Sequence, residues 1–153
     1  MSTDTTPAPR LDVYRHNPDI HRTMLAFSQA AGRGLDLTLA ELVRIRASQI
    51  NHCAFCLDMH LRTARENGET EERIHLLNAW EEAGVHTERE KAALALTEAV
   101  TLLTDGFVPD AVYARAAAHF DEAELAQLIA LICAINSWNR LNVAARKPMD
   151  PTS

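Results

Sequence analysis

The amino-acid sequence predicts an all-α protein of about seven helices. Strand signals are weak, because aromatic residues make up 5% of the chain and no stretch alternates apolar and polar residues for long. Helix signals recur, because apolar residues follow a 3.6-residue period between capping residues and glycine stops. The 153 residues are about the usual size of one domain. We therefore expect one helical domain over residues 11–146, between flexible tails at 1–10 and 147–153.

Capping residues open the first, second and fourth predicted helices, and glycine or an Asn-Gly pair ends the first, third and fourth. Their expected spans are 18–32, 39–50, 51–66 and 71–84. Thr38 and Glu41 form the capping-box pattern that would open the second helix. Asn67 and Gly68 form a common left-handed exit for the third. These helices hold every residue of the chemical motif described below.

The last three predicted helices have equally clear starts. Thr87 with Glu90, and Asp121 with Glu124, are capping boxes, and Pro109 opens the short helix between them. The expected spans are 88–103, 109–120 and 122–146. The last of these helices is the most apolar, and we expect its cysteine, Cys133, to be a small core residue.

Composition and charge exclude several classes of partner. Fifteen Lys and Arg against twenty-one Asp and Glu give a net charge of −6, with no basic block. This balance argues against a nucleic-acid surface or an anionic-membrane surface, because phosphates require clustered cations. The longest apolar run, 128–135, is shorter than the ~20 residues of a membrane span, and the first residues lack a signal-peptide pattern. We expect a soluble, cytoplasmic protein with no bound cofactor.

A cysteine pair with a nearby histidine is the most informative motif. Cys53 and Cys56 form a C-x-x-C pair, and His60 follows four residues later. Spacings of three and four place all three on one helix face, so that the imidazole could take the Cys56 proton or stabilise its thiolate. A disulfide across one turn would cross-link almost nothing, which favours a reversible redox couple. Glu41, on the preceding predicted helix, could orient His60 or relay its proton.

Other interpretations of this motif remain open. Cys53, Cys56 and His60 could be three zinc ligands with Glu41 as a fourth, although zinc sites built on C-x-x-C usually recruit a second close Cys/His pair that this chain does not offer. Both cysteines could also be inert core residues, since free cysteine is often buried. The spacing alone does not separate these cases.

The pattern E-x11-C-x-x-C-x3-H, from Glu41 to His60, resembles the core of the AhpD-like alkylhydroperoxidase group in the carboxymuconolactone decarboxylase superfamily. The residues at 48–51 and 58–60, and the run N-S-W-N-R-L-N at 136–142, match a common subgroup of that family. The resemblance covers most of residues 11–146 and implies an AhpD-like helical domain.

The resemblance implies a role for each motif residue. Cys56 would be the peroxidatic thiol, Cys53 the resolving thiol, and His60 with Glu41 the proton relay, with no metal ion involved. The substrate would be a peroxide, an external dithiol would be the reductant, and the chain would form a homo-oligomer, a trimer or hexamer. One departure is Phe55, which stands before the second cysteine where some peroxidase members carry a histidine.

Two further functions are compatible with the same resemblance. One is a decarboxylase-like enzyme acting on a lactone acid, although the family decarboxylases proper lack the C-x-x-C pair. The other is a non-enzymatic helical module that senses redox state or binds zinc. The cysteine pair favours thiol chemistry over decarboxylation.

Overall fold

The computed structural model describes residues 6–150, and these form helices and connecting loops with no strand among them. The helices are α1 (Val13–His16), α2 (Pro18–Gly32), α3 (Leu37–Ile50), α4 (Ala54–Glu66), α5 (Glu71–His75), a 3-10 turn (Leu76–Ala79), α6 (Trp80–Ala83), α7 (Glu88–Thr101), α8 (Asp110–Ala117) and α9 (Glu122–Ala145). The predicted all-α class is confirmed. The spans at 1–5 and 151–153, the outer parts of the two predicted tails, lie outside the described residues.

The fourth predicted helix is interrupted at its middle. Thr70 caps it as expected, accepting from the Arg73 N–H at 3.3 Å, and Gly84 ends it at φ 69°. Between them the 3-10 turn brings Leu77 and Trp80, three residues apart, onto the same side. Both side chains are buried, at 0% and 4% exposure. Packing of these two large residues explains why one predicted helix is observed as three short elements.

One short helix, α1, was not predicted. Asp12 caps it by accepting from the Arg15 N–H at 3.0 Å, and its four residues are too few for a periodic apolar pattern. Its importance is positional, because it carries Tyr14 to the functional site described below.

Helix α3 lies at the centre and packs against α4, α7 and α9, while α2 packs along α9. The main core lies among α3, α7 and α9 and includes Val43, Leu96, Leu128 and Ile132. By length and composition α9 could cross a membrane, but half of its most apolar stretch is buried in the fold. The core helices of soluble proteins pass the same test of length and composition.

The turn between α3 and α4 fixes the position of the cysteine pair. The Cys53 N–H bonds the Ser48 carbonyl at 3.0 Å, and the His52 N–H bonds that of Gln49 at 3.2 Å. These are the two bonds of a Schellman motif, with His52 at φ 53° where glycine is usual. Helix α4 therefore begins at Ala54 with Cys53 as its N-cap, three residues later than predicted.

A second turn of the same type ends α9. Arg146 has φ 53°, the Lys147 N–H bonds the Asn142 carbonyl at 2.9 Å, and the Arg146 N–H bonds that of Val143 at 3.2 Å. The Arg10 N–H bonds the Ala145 carbonyl at 3.0 Å. Arg10 and Lys147, at the inner ends of the two predicted tails, are thus hydrogen-bonded to the end of α9.

Candidate functional site

The two cysteines of the motif are adjacent, free and buried, at 2% exposure for Cys53 and 1% for Cys56. The Cys56 N–H donates to the Cys53 sulfur at 3.4 Å, which caps α4. The Asn142 amide, from α9, donates to the Cys56 sulfur at 3.3 Å. Cys56 also lies in the first turn of α4, where the helix dipole favours negative charge. The Asn142 hydrogen bond and the helix dipole favour a thiolate at Cys56, whereas burial opposes it.

The pKa values of the two thiols move in opposite directions. A hydrogen bond from the Cys53 thiol is the largest cause that lowers the pKa of Cys56 to about 6, and the amides of Asn142 and Asn139 and the charge of His60 add to it against the effect of burial. The same hydrogen bond, then burial, raises the pKa of Cys53. Cys56 is therefore the thiol of the pair that ionises first. Cys53 stays a thiol beside it.

Glu41 and His60 form a buried pair across α3 and α4. Glu41 is 2% exposed, and its Oε2 lies 2.8 Å from His60 Nδ1 while its Oε1 pairs with Arg44. Burial alone would raise the pKa of Glu41, but the hydrogen bond and charge of His60, with Arg44, outweigh it and lower that pKa. Glu41 is therefore a carboxylate, which only accepts, so His60 Nδ1 carries the proton.

The capping box predicted for Thr38 and Glu41 is wrong. The Glu41 carboxylate does not bond the helix start and instead bonds His60 and Arg44. Asp36 caps α3 instead, accepting from the Leu39 N–H at 3.0 Å, and the helix begins at Leu37. Since Asp36 supplies the cap two residues earlier, the Glu41 side chain turns inward rather than back to the helix start.

The predicted site residues are brought together with one difference from the expected contact. Cys56 and His60 line the same cavity, Glu41 lies behind His60, and Cys53 lies behind Cys56. Within residues 6–150, His60 makes no hydrogen bond to Cys56, and its Nε2 bonds no protein group. The imidazole therefore acts on the thiolate through its charge, across the cavity that both residues face.

The cavity beside Cys56 has a volume of about 280 Å³ and a mostly apolar lining. Tyr14, Phe55 and Trp138 form an aromatic wall, with Leu131 and Ile135 of α9 beside them. The rings of Tyr14 and Trp138 meet edge to face at 5.6 Å. An apolar molecule placed here would contact the Cys56 sulfur directly.

Sequence reasoning missed the amide groups that support the thiolate. Asn136, Asn139 and Asn142 recur at three-residue spacing in α9, and all are buried. Asn142 Oδ1 accepts from the Tyr14 hydroxyl at 2.7 Å, which turns its NH₂ toward Cys56. Burial first, then the charges of Cys56 and Cys53, raises the pKa of Tyr14 to about 12, so it remains a donor. The available signal was three asparagines at core spacing in an apolar helix.

Cys133 lies outside the core, and its predicted burial is wrong. Leu131, Ile132, Ala134 and Ile135 around it are buried, but position 133 falls in the gap between them on the outer face of α9. Apolar neighbours in the sequence therefore do not show whether Cys133 lies on the buried face of α9. Within the described part of the chain, no group of three or more Cys, His, Asp or Glu is placed to hold a metal ion.

Comparison with known proteins gives consistent matches. The model of the family described as "Carboxymuconolactone decarboxylase family" matches residues 18–99. The uncharacterized protein YdfG of Bacillus subtilis (strain 168) is 42% identical over 88% of this chain and 92% of its own. The uncharacterized protein YnjA of Escherichia coli (strain K12) is 32% identical over 74% of this chain and 62% of its own.

A solved structure matches the whole fold. It is a crystal structure of a protein of unknown function from Agrobacterium tumefaciens, described as a candidate antioxidant defence protein AhpD. It superposes with a TM-score of 0.90 at 34% identity, over 94% of this chain and 99% of that one. The AhpD-like fold predicted from the sequence is confirmed.

Proposed function

The chain belongs to the carboxymuconolactone decarboxylase family, and from that premise we propose that it is a thiol-dependent peroxidase that reduces organic hydroperoxides at Cys56. The observation that carries the proposal is a buried cysteine with a pKa of about 6 facing an apolar cavity. The description of the Agrobacterium neighbour, which mentions antioxidant defence, supports the same class of chemistry. Cys56 and His60 are proposed as catalytic residues, with Cys53 and Glu41 acting next to them.

In the first step the Cys56 thiolate attacks the distal oxygen of the hydroperoxide. The S–O bond forms as the O–O bond breaks, so that Cys56 becomes a sulfenic acid and the substrate leaves as an alcohol. The alkoxide oxygen needs one proton, and His60, which faces the same cavity, supplies it. Glu41 holds the imidazole in place through Nδ1.

In the second step Cys53 resolves the sulfenic acid. Its sulfur attacks the Cys56 sulfur, the S–O bond breaks, and water leaves with the Cys53 proton as the disulfide forms. The Cys53 sulfur already lies 3.4 Å from the Cys56 amide nitrogen, so the two residues need little rearrangement. An external dithiol then returns both thiols by exchange and leaves as its own disulfide.

The remaining parts of the proposal come from the family resemblance and from composition. The protein works in the cytoplasm as a homo-oligomer, a trimer or hexamer, without nucleic acid or membrane as a partner. A reducing compartment keeps three cysteines free.

Intact-mass measurement with peptide mapping tests the proposal. Fully reduced protein is treated with one equivalent of cumene hydroperoxide and sampled over seconds. We expect rapid loss of two hydrogens, mapped to a Cys53–Cys56 bond, while Cys133 stays free and alkylatable. One equivalent of the alcohol should appear at the same rate.

Other results would overturn it. If both thiols stay reduced, or if only slow over-oxidation appears, the peroxidase function is wrong. Turnover of a carboxylated lactone by a Cys53→Ala/Cys56→Ala double variant would instead support the decarboxylase-like function. Stoichiometric zinc in protein purified without added metal would support the metal-binding module.

A further inference from the structure

A lysine side chain at the cavity wall lies beside aromatic rings, and its acidic neighbour Asp12 makes no direct ion pair with it. Lys147 Nζ lies 4.6 Å from the centre of the Phe55 ring and 5.1 Å from that of Tyr14. Within residues 6–150, Lys147 Nζ donates to no protein acceptor and forms no ion pair. The nearest effect of its charge is on exposed Asp12, whose pKa is lowered mainly by a backbone hydrogen bond from Arg15. The three N–H donors of this ammonium are therefore uncommitted.

The backbone turn that ends α9 places Lys147 at the cavity wall. The Schellman motif that ends α9 requires Arg146 at φ 53°, a strained conformation for a residue with a side chain. The turn closes on the carbonyl of Asn142, whose amide bonds Cys56. The same residue thus anchors both the thiolate and the turn that brings Lys147 back over Phe55. Strained backbone held next to a reactive group is a frequent mark of a functional role.

Among residues 6–150, those that line the cavity supply no carboxylate to Lys147. No Asp or Glu is among the described residues that line it. Arg44, which also lines it, is already paired with Glu41, and His60 bonds the same carboxylate. An anion entering this cavity meets the Lys147 ammonium at the wall, and the Cys56 thiolate is the lining anion, with no Asp or Glu among the described lining residues.

We infer that the substrate is an apolar hydroperoxide that carries a carboxylate, which Lys147 binds while the peroxide group faces Cys56. This inference rests on the proposed peroxidase function. The aromatic wall of Tyr14, Phe55 and Trp138 accommodates the apolar body between the two ends. A single ammonium suits a monovalent carboxylate, whereas phosphate groups are usually held by several donors or by bidentate arginine. Phe55, where some relatives have histidine, then serves as the ring against which Lys147 is held.

A matched pair of substrates tests the inference without knowledge of the natural reductant. Cumene hydroperoxide and its para-carboxylate present the same peroxide on the same ring, and differ in one charge. Stopped-flow fluorescence, with Trp138 in the cavity wall as reporter, gives the second-order rate constant for oxidation of reduced protein by each. At low ionic strength we expect the carboxylate to react about tenfold faster, as for one charge-assisted contact. The preference should shrink as salt is added.

Variants at neighbouring positions separate a specific contact from general attraction. Lys147→Met keeps the apolar stem and removes the charge, and we expect the ratio of the two rate constants to fall to about one. Lys147→Arg should retain the preference. Arg146→Gln removes an equal charge from the adjacent exposed residue, which does not line this cavity, and should also retain it.

Each result has a definite reading. If neither hydroperoxide oxidises the cysteine pair, the proposed peroxidase function is overturned. If the parent protein reacts with both at equal rates, or if the preference survives in Lys147→Met or disappears in Arg146→Gln, the inference is overturned while the peroxidase function stands.

Discussion

Cys56 and Cys133 are both free thiols on helices, and their surroundings differ in almost every respect. Cys133 is exposed on the outer face of α9. Cys56 is 1% exposed, receives a hydrogen bond from Asn142, and reaches the outside through one apolar cavity. The buried thiol is the one with the lowered pKa. Activation of cysteine therefore depends here on hydrogen-bond donors and charge rather than on contact with water.

The largest expected effect comes from exchanging the two thiols for hydroxyls one at a time. Cys56→Ser should slow peroxide consumption by about a thousandfold or more, because a serine hydroxyl is not ionised at neutral pH. Cys133→Ser should consume peroxide at the parent rate. A coupled assay with dithiothreitol as reductant measures both. A Cys56→Ser protein as fast as its parent would mean that burial in this cavity does not mark the reactive thiol.

The second-largest expected effect tests Glu41, whose carboxylate bonds the His60 imidazole. Glu41→Gln should lower the rate of Cys56 oxidation by about a hundredfold, since His60 loses the carboxylate that orients it. Glu98→Gln is the matched control, because Glu98 also accepts from an arginine, Arg46, but lies away from the cavity. Both variants should melt at lower temperature than the parent, and only the first should lose rate. Equal rate losses in the two variants would reduce Glu41 to a structural role.

A smaller effect separates the donors around the thiolate. Asn142→Leu removes the amide that bonds the Cys56 sulfur, and should raise the pKa of Cys56 from about 6 by about one to two units. The thiolate is the alkylated form, so the midpoint of the iodoacetamide rate against pH should move to higher pH. In the parent, Cys53 should stay unreactive through neutral pH because its pKa is raised. Ser137→Ala, a polar change on the outer part of α9, should leave the midpoint unchanged.

The smallest expected effect concerns Tyr14, the residue that orients the side-chain amide of Asn142. Tyr14→Phe keeps the ring in the cavity wall and removes the hydroxyl that bonds Asn142 Oδ1. We expect the Cys56 midpoint to rise by about half a unit or less, because the amide keeps its bond to sulfur but loses its restraint. The same alkylation series measures it. A shift as large as that of Asn142→Leu would show that the hydroxyl, rather than the amide, controls the thiolate.

The fold and the reactive motif could be predicted largely from local signals. Helix periods and capping residues are short-range features, and Cys53, Cys56 and His60 lie within eight positions of one another. The error at Thr38 was also local, since Asp36 offered an equally good cap two residues earlier. Where two caps compete, tertiary packing decides, and the burial of Glu41 shows which one prevailed.

The rest of the site could not be predicted because it depends on contacts between distant parts of the chain. Tyr14 and Asn142 are 128 positions apart, and Asn142 and Cys56 are 86 apart. Lys147 belonged to a predicted tail, and only the left-handed turn at Arg146 brings it back. The exposure of Cys133 likewise depends on which face of α9 meets α2, α3 and α7. No spacing rule within one helix carries this information.

The residues that form the cavity come partly from inside and partly from outside the span that the family model matches. The family match spans residues 18–99, which include Glu41, both motif cysteines and His60. Tyr14 precedes that span, and Trp138, Asn142 and Lys147 follow it, yet all four line the same cavity. Relatives could keep the first set while exchanging the second. The motif residues and most of the cavity wall come from different parts of the chain, although Asn142, which bonds the Cys56 sulfur, lies with the wall residues outside the matched span.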